Sequence, residues 1–332
     1  MTRDRSRERN SRSSQRECHL RIQRFRLVAA ALLLGLSAAS PAGAGPSASP
    51  DSPPDTAALK RTRGESAATW QAAGRAALAE SKRLKPVRGP AKNVILFIGD
   101  GMGVSTVTAA RILQGQLAHG DGEGNFLSFE RFPHLAMSKT YSANQQTPDS
   151  APTMTAMMTG AKANDGVLGV NQNVLNGDPD AAKVAANRLT TLLEQAEKQG
   201  LATGIVSTAR VTHATPAATY AHTAMRDWEA DSDLPADTRI SDIAAQLIDN
   251  FGRGGIGDGP EVVLGGGRTK FLPREMRDPE YESKTGERRD RRDLTQEFVR
   301  KFDGVYVWNR LQFADFSPAS IGSAGTRASC PS

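Results

Sequence analysis

Apolar and polar positions between residues 92 and 310 follow two alternating periods. Short runs of strand length recur at Val94–Ile98 (VILFI), Ala202–Ser207 (ATGIVS) and Glu261–Leu264, the last ending in Gly265-Gly266-Gly267. Such runs typify strands buried on both faces. Between them the spacing is helical. It predicts helices over Ser105–Leu117, around Met154–Met158 after Asp149-Ser150, over Leu189–Lys198 with Gly200 as C-cap, and over Ile240–Asp249. Residues 67–85 are rich in helix formers and stop before Pro86, which adds one more helix. Alternating β and α units predict an α/β fold, a three-layer α/β/α sandwich with a mainly parallel central sheet. Such folds carry their chemistry at the carboxyl ends of the strands.

Charge changes this picture only at the N-terminus. The chain has 332 residues and a net charge of +6. Residues 1–44 hold nine arginines against three acids, which is the whole of that excess. The basic balance therefore belongs to the leader and does not point to nucleic acid. The leader reads as a cleaved signal peptide over 1–44. An Arg-rich start ends at Arg26, Leu27–Leu36 is apolar, and Ala42-Gly43-Ala44 supplies small residues for cleavage. The apolar run is too short to cross a bilayer, so no stable membrane anchor is expected, and the address is secreted or periplasmic. Residues 45–91 read as a linker followed by the N-terminal helix, and 92–310 as the catalytic domain. Cys18 lies in the leader and Cys330 near the end, so the mature chain is expected to hold no intrachain disulfide. Glu287–Asp293 (ERRDRRD) reads as a solvated surface loop.

Three segments offer chemistry. Asp100 follows the VILFIG run between Gly99 and Gly101, which suits a cation ligand or, equally, a turn cap. Ser150, in PDSAPT, opens a helix whose N–H groups and partial positive charge favour a phosphate; the same position suits a plain N-cap. His213 and Thr215 follow the second run, Ala202–Ser207, and would face one site if that segment is extended. Arg226 could hold two phosphate oxygens at once. Taken singly, a core histidine and a surface arginine account for His213 and Arg226 as well.

The segments together carry a resemblance. GDGMG at 99–103, PDSAPTMTAMMTG at 148–160, STARVTHATPAATYAHT with Arg226, DIAAQLI at 242–248, VVLGGGR at 262–268 and YVWNR at 306–310 resemble the alkaline phosphatases, in order, over roughly residues 92–310. The resemblance implies phosphate-monoester hydrolysis through a phosphoserine at a site with two Zn2+ and one Mg2+, commonly in a homodimer. Ser150 would be the nucleophile, Arg226 the phosphate clamp and Asp149 the group that orients Arg226. Asp100, Ser150, His213 and Thr215 would be the metal-side residues. Asp100 would bridge magnesium and a zinc, and Thr215 would ligate magnesium. His213 stands where some members carry Asp and others His.

The chain departs from the family pattern in its last third. After Arg226 it contains no histidine, and no Asp-His pair occurs anywhere. Residues 311–332 are small, polar and pattern-free, and read as a tail unrelated to the family through a frameshift or truncation. The chain expressed alone is therefore expected to be poorly folded or nearly inactive. Two other readings stand beside the leading one. One is a non-catalytic secreted fragment that binds phosphate or metal. The other is a sulfatase-like hydrolase, against which Thr153 and Met154 depart from the required pattern.

Overall fold

Strands form in this chain where a hydrogen-bonded neighbour exists, and this condition moves several predicted boundaries. The structure, a computed structural model, describes residues 66–317 and 328–331, apart from 86, 119 and 121. The leader, most of the linker and most of the tail lie outside the described residues. Helix α1 is Ala67–Arg83, α2 Val104–Leu117, α3 Ser150–Thr159, α4 Ala181–Ala186 and α5 Leu192–Lys198. Strand β1 is Gly204–Arg210, followed by α6 (Ala214–Ala217), α7 (Ile243–Asp249), β2 (Val262–Gly266) and α8 (Leu294–Phe302). Strand β3 (Val305–Tyr306), α9 (Arg310–Asp315) and β4 (Ala328–Pro331) complete the order.

The four strands make one sheet in the order β1-β2-β4-β3, and every pairing is parallel. The fold is thus α/β with a small parallel sheet and helices. Strand β4 comes from the segment read as a pattern-free tail. Its pairing between β2 and β3 uses backbone groups, which need no side-chain pattern. Among the described residues, no helix is long and apolar enough to cross a membrane.

The main core gathers around one face of β1 and β2. Ile205 and Val263 meet Ala151, Met154 and Met158 of α3, Ala214 and Ala217 of α6, and Ile243, Leu247 and Ile248 of α7. Helix α7 is buried at every position from Ile243 to Ile248, with the polar Gln246 satisfied by bonds to His222 and Ser241. Helix α8 instead buries a stripe at Leu294, Phe298 and Phe302, spaced by four. The Phe298 and Phe302 rings stack edge to face with centroids 4.9 Å apart. A smaller core joins Val167, Val170, Val184 and Trp228.

Two predicted features are corrected. Val94–Ile98 forms no strand and pairs with none among the described residues. Phe97 is 79% exposed, and only Ile98 packs on the core. Local pattern selects an extended chain, but a ladder needs a neighbour at the right distance. Likewise β1 is not buried on both faces: Ile205 is buried while Val206 is 72% exposed. The strand also continues to Arg210, beyond the predicted end.

The charge run Glu287–Asp293 is not a solvated loop. Arg288 is wholly buried. Its two Nη atoms donate to the Asp242 carboxylate at 2.9 and 3.1 Å, and Nε donates to Asp290 at 3.0 Å. Asp242 also caps α7 by accepting from the Ala245 N–H at 2.9 Å. Glu287 accepts from Thr269 at 2.6 Å and pairs with Lys270, while Arg292 joins Asp249 and Glu297. A buried cation is tolerated only when its donors are satisfied, and these are. Sequence composition could not show this, because it reports charge density and not which charges find partners.

Removing the Arg288 side chain would strand Asp242 in the core. Arg288→Ala is expected to cost about 3–5 kcal/mol. Arg289→Ala, one residue along on an exposed side chain, is expected to stay within about 0.5 kcal/mol. Urea denaturation of the two variants against the parent checks the contrast.

Candidate functional site

Helix α3 begins where Asp149 supplies its carboxylate as the cap. Asp149 Oδ1 accepts from the Ala151 N–H at 2.8 Å, and Ser150 is the first helical residue. Ser150 is therefore not itself the cap, and its hydroxyl is left for other partners. The helix ends at Gly160, whose φ of 74° is the left-handed conformation that suits glycine. The backbone N–H of Asp149 is held in turn by Asp165 Oδ1 at 2.9 Å, and Asp165 N–H by Asn144 Oδ1 at 2.8 Å.

Arg226 reaches this helix start from the chain following α6. Its backbone N–H donates to the Gly166 carbonyl at 2.8 Å, which seats the side chain beside α3. Nη1 donates to Ser150 Oγ at 3.1 Å and pairs with Asp149 Oδ2 at 3.0 Å. Nη2 lies 3.0 Å from His213 Nε2. Ser150 is half-buried.

His213 and Thr215 do not lie on an extended segment. His213 precedes α6, and Thr215 sits within that single helical turn. The turn nonetheless sends them to two useful places, because His213 meets Arg226 while Thr215 Oγ1 donates to Asp100 Oδ2 at 2.8 Å. Asp100 lies in the turn after the unpaired 94–98 segment, where Gly101 takes a φ of 69°. Six singled-out residues thus fall into two linked sets. One is Asp149, Ser150, His213 and Arg226; the other is Asp100 and Thr215; the 213–215 turn joins them.

The His213 ring is held below the usual histidine pKa, first by burial and then by the positive charges of Arg226 and Arg210. A guanidinium only donates, so a neutral His213 accepts at Nε2 and carries its proton on Nδ1. That buried Nδ1 has no hydrogen-bond partner. His222 behaves differently. Both of its ring nitrogens are taken, by the Gly169 carbonyl at 2.7 Å and Glu194 Oε1 at 2.8 Å, so it belongs to the buried scaffold.

Sequence reasoning missed Glu229. It is buried beneath the turn, accepting from Arg210 Nε and Nη2 at 2.7 Å each and from Thr212 Oγ1 at 2.6 Å. Arg210 in turn accepts the His213 N–H through its carbonyl at 2.9 Å. Burial alone would raise the Glu229 carboxyl, but the bonds from Arg210 and Thr212 outweigh it and hold the pKa below 4.5. Nothing in the short DWE sequence announces this, since the partner arginine lies 19 residues upstream.

Residues 91–321 match the alkaline phosphatase family model. The chain belongs to the alkaline phosphatase family. It is 44% identical over 254 residues to the tissue-nonspecific alkaline phosphatase of Gallus gallus, covering 73% of this chain and 47% of that protein. It is 42% identical to an alkaline phosphatase of Gadus morhua, covering 70% and 49%. It is 44% identical to the human tissue-nonspecific isozyme, covering 70% and 44%. The chain spans about half the length of these relatives. Among solved structures, it is similar to a cold-active alkaline phosphatase from Shewanella sp. The identity is 25% and the TM-score 0.48, over 70% of this chain and 44% of that chain.

Glu229 should reveal itself through pH. Its native pKa is depressed, so its stabilisation is complete above 4.5 and is lost as pH falls through the lower native value. Glu229→Gln is expected to cost about 1.5–3 kcal/mol at neutral pH, nearer the lower figure because Arg210 is half exposed. The gap between parent and variant should close below pH 4.5. Urea midpoints across the acid range measure it.

Proposed function

We propose that this chain carries the phosphoryl-binding half of a phosphate-monoester hydrolase, with Ser150 as the attacking group. The observation that carries the reading is the contact of Arg226 with Ser150 Oγ at 3.1 Å at the start of α3. A guanidinium and a helix N-terminus both favour a dianionic oxygen cluster, and both lie beside one hydroxyl. Asp149, at 3.0 Å from Arg226, keeps the fork turned toward that hydroxyl. In the reaction, Ser150 Oγ gives its proton to solvent and bonds to phosphorus as the bond to the ester oxygen breaks, and the ester oxygen leaves with the electron pair and takes a proton from water. Water then cleaves the phosphoserine and releases phosphate.

Metal fits the site unevenly. Asp100 and Thr215 offer a carboxylate and a hydroxyl 2.8 Å apart, oxygen donors suited to a hard cation such as Mg2+. A cation there would add positive charge beside the phosphoryl group and ease loss of the serine proton. Zinc has no such set. Among the described residues, no group of three His, Cys, Asp or Glu side chains converges. His213 Nε2 is engaged by Arg226. A zinc pair does not fit these residues, and no step is derived through it.

The supply route follows from the same reading. The Arg-rich leader with its short apolar run supports export to the periplasm or beyond, and phosphate monoesters met there are the substrate class.

The test is calorimetric titration with inorganic phosphate, with and without magnesium, beside hydrolysis of p-nitrophenyl phosphate. Arg226→Ala is expected to weaken phosphate binding roughly tenfold to a hundredfold. Ser150→Ala is expected to abolish any acid-stable phosphoryl label on the protein. Phosphate affinity unchanged by Arg226→Ala would overturn the reading. Binding without turnover would leave the anion site and remove the hydrolase.

A further inference from the structure

Ser150 and Arg226 lie 76 residues apart in the chain, so their contact depends on whatever holds the two backbones at one spacing. The turn at 164–167 does this with two bonds. Asp165 Oδ1 accepts the Asp149 N–H at 2.9 Å, and the Gly166 carbonyl accepts the Arg226 N–H at 2.8 Å. Asp149 and Arg226 are the two residues whose side chains pair at 3.0 Å. Their backbones thus hang on neighbouring residues of one turn, whose Cα atoms a trans peptide keeps about 3.8 Å apart.

The turn is itself anchored. The Val167 N–H closes it on the Asn164 carbonyl at 3.4 Å, and Gly166 takes a φ of 77°, which suits glycine at the third position of a tight turn. Asn164 is buried, and its amide donates to the Gln172 and Val174 carbonyls at 2.8 Å each. Val167 packs in the smaller core with Val170 and Trp228. The Asp165 N–H is taken by Asn144 Oδ1 at 2.8 Å. A side chain carried on so fixed a turn can set the place of what it binds.

Asp165 acts on a peptide, whereas Asp149 reaches Arg226 directly. The Asp149 carboxylate must aim Oδ1 at the Ala151 N–H and Oδ2 at Arg226 together. With its own N–H released, Asp149 could turn away from either partner, and the start of α3 would shift against the guanidinium.

We propose that Asp165 is a positioning residue of the phosphate site, fixing the peptide of Asp149 and so setting Ser150 against Arg226. The proposal rests on the phosphate-site reading above. What the position requires is an acceptor oxygen, because the group it binds is a neutral N–H.

The experiment uses the full chain with 15N-labelled arginine. Side-chain NMR of Arg226 and calorimetry with inorganic phosphate are recorded for the parent, Asp165→Ala, Asp165→Asn and Asp180→Ala. Asp180 caps α4 through the Ala182 and Lys183 N–H groups, so its loss reports removal of a structural carboxylate that bonds to no site residue. Circular dichroism confirms that each variant is folded. Asp165→Ala is expected to weaken phosphate binding roughly tenfold and to broaden the Arg226 Nε–H signal as the guanidinium loses a fixed partner. Asp165→Asn keeps the acceptor oxygen and drops the charge. It is expected to stay within about twofold of the parent and to keep the signal sharp. Asp180→Ala is expected to change neither readout. Parental affinity and a parental Arg226 signal in Asp165→Ala would overturn the proposal. So would an Asp165→Asn that behaves like Asp165→Ala, since charge and not placement would then be at work. An equal loss in Asp180→Ala would overturn it as well, because any weakened fold would then suffice. Should Asp165→Ala fail to fold, Asp165→Asn decides alone, and loss of phosphate affinity there overturns the proposal. Should Arg226→Ala leave phosphate binding untouched, the phosphate reading falls, while the Arg226 signal still decides whether Asp165 holds the pair.

Discussion

One guanidinium organises the candidate site. Arg226 carries a positive charge, and its side chain is only 20% exposed. A charge in that position is tolerated only if its donors are paired, and the pairing partners are Asp149, Ser150 and His213. Asp149 caps the helix that presents Ser150, Ser150 accepts from Arg226, and His213 meets the far side of the fork. The start of α3, the Ser150 hydroxyl and the Arg226 guanidinium are thus held by one set of bonds.

That set would drift without the buried charges beneath it. Glu229 ties Arg210 to Thr212 across the turn that carries His213 and Thr215. Arg288 ties Asp242, the cap of α7, to Asp290. Both are loop-fixing devices, and both put paired charges next to the apolar core. Glycine works to the same end at Gly169, where a Cβ would run into the Ala221 carbonyl while the glycine's own carbonyl receives the His222 ring. The loops after β1 hold their shape through polar contacts, and the sheet supplies the ground on which they stand.

The apolar run before Asp100 has a different character. Val94, Ile95, Leu96 and Phe97 are exposed in a segment that forms no strand, and Asp100 at its end is held to the rest of the site by Thr215. An exposed apolar run of this length is costly in water, so this face is one where further contacts would stabilise the fold most. Asp100 is the one exposed residue of the six, and the other five are half-buried.

Much of this was legible in the residues. Capping and spacing placed α1, α2, α3 and α7 to within a few positions, because each helix is fixed by neighbours a turn away. Motif order placed Asp149, Ser150 and Arg226 in one family pattern, and the chain's membership of that family agrees with it. Other features were settled only by tertiary structure. VILFI has a strand's composition yet no ladder, ERRDRRD has a surface composition yet a buried arginine, and ASCP has no strand pattern yet pairs on both sides. In each case the deciding quantity is a partner distant in sequence. Local pattern fixes what a segment can become, and the presence or absence of that partner fixes what it does become.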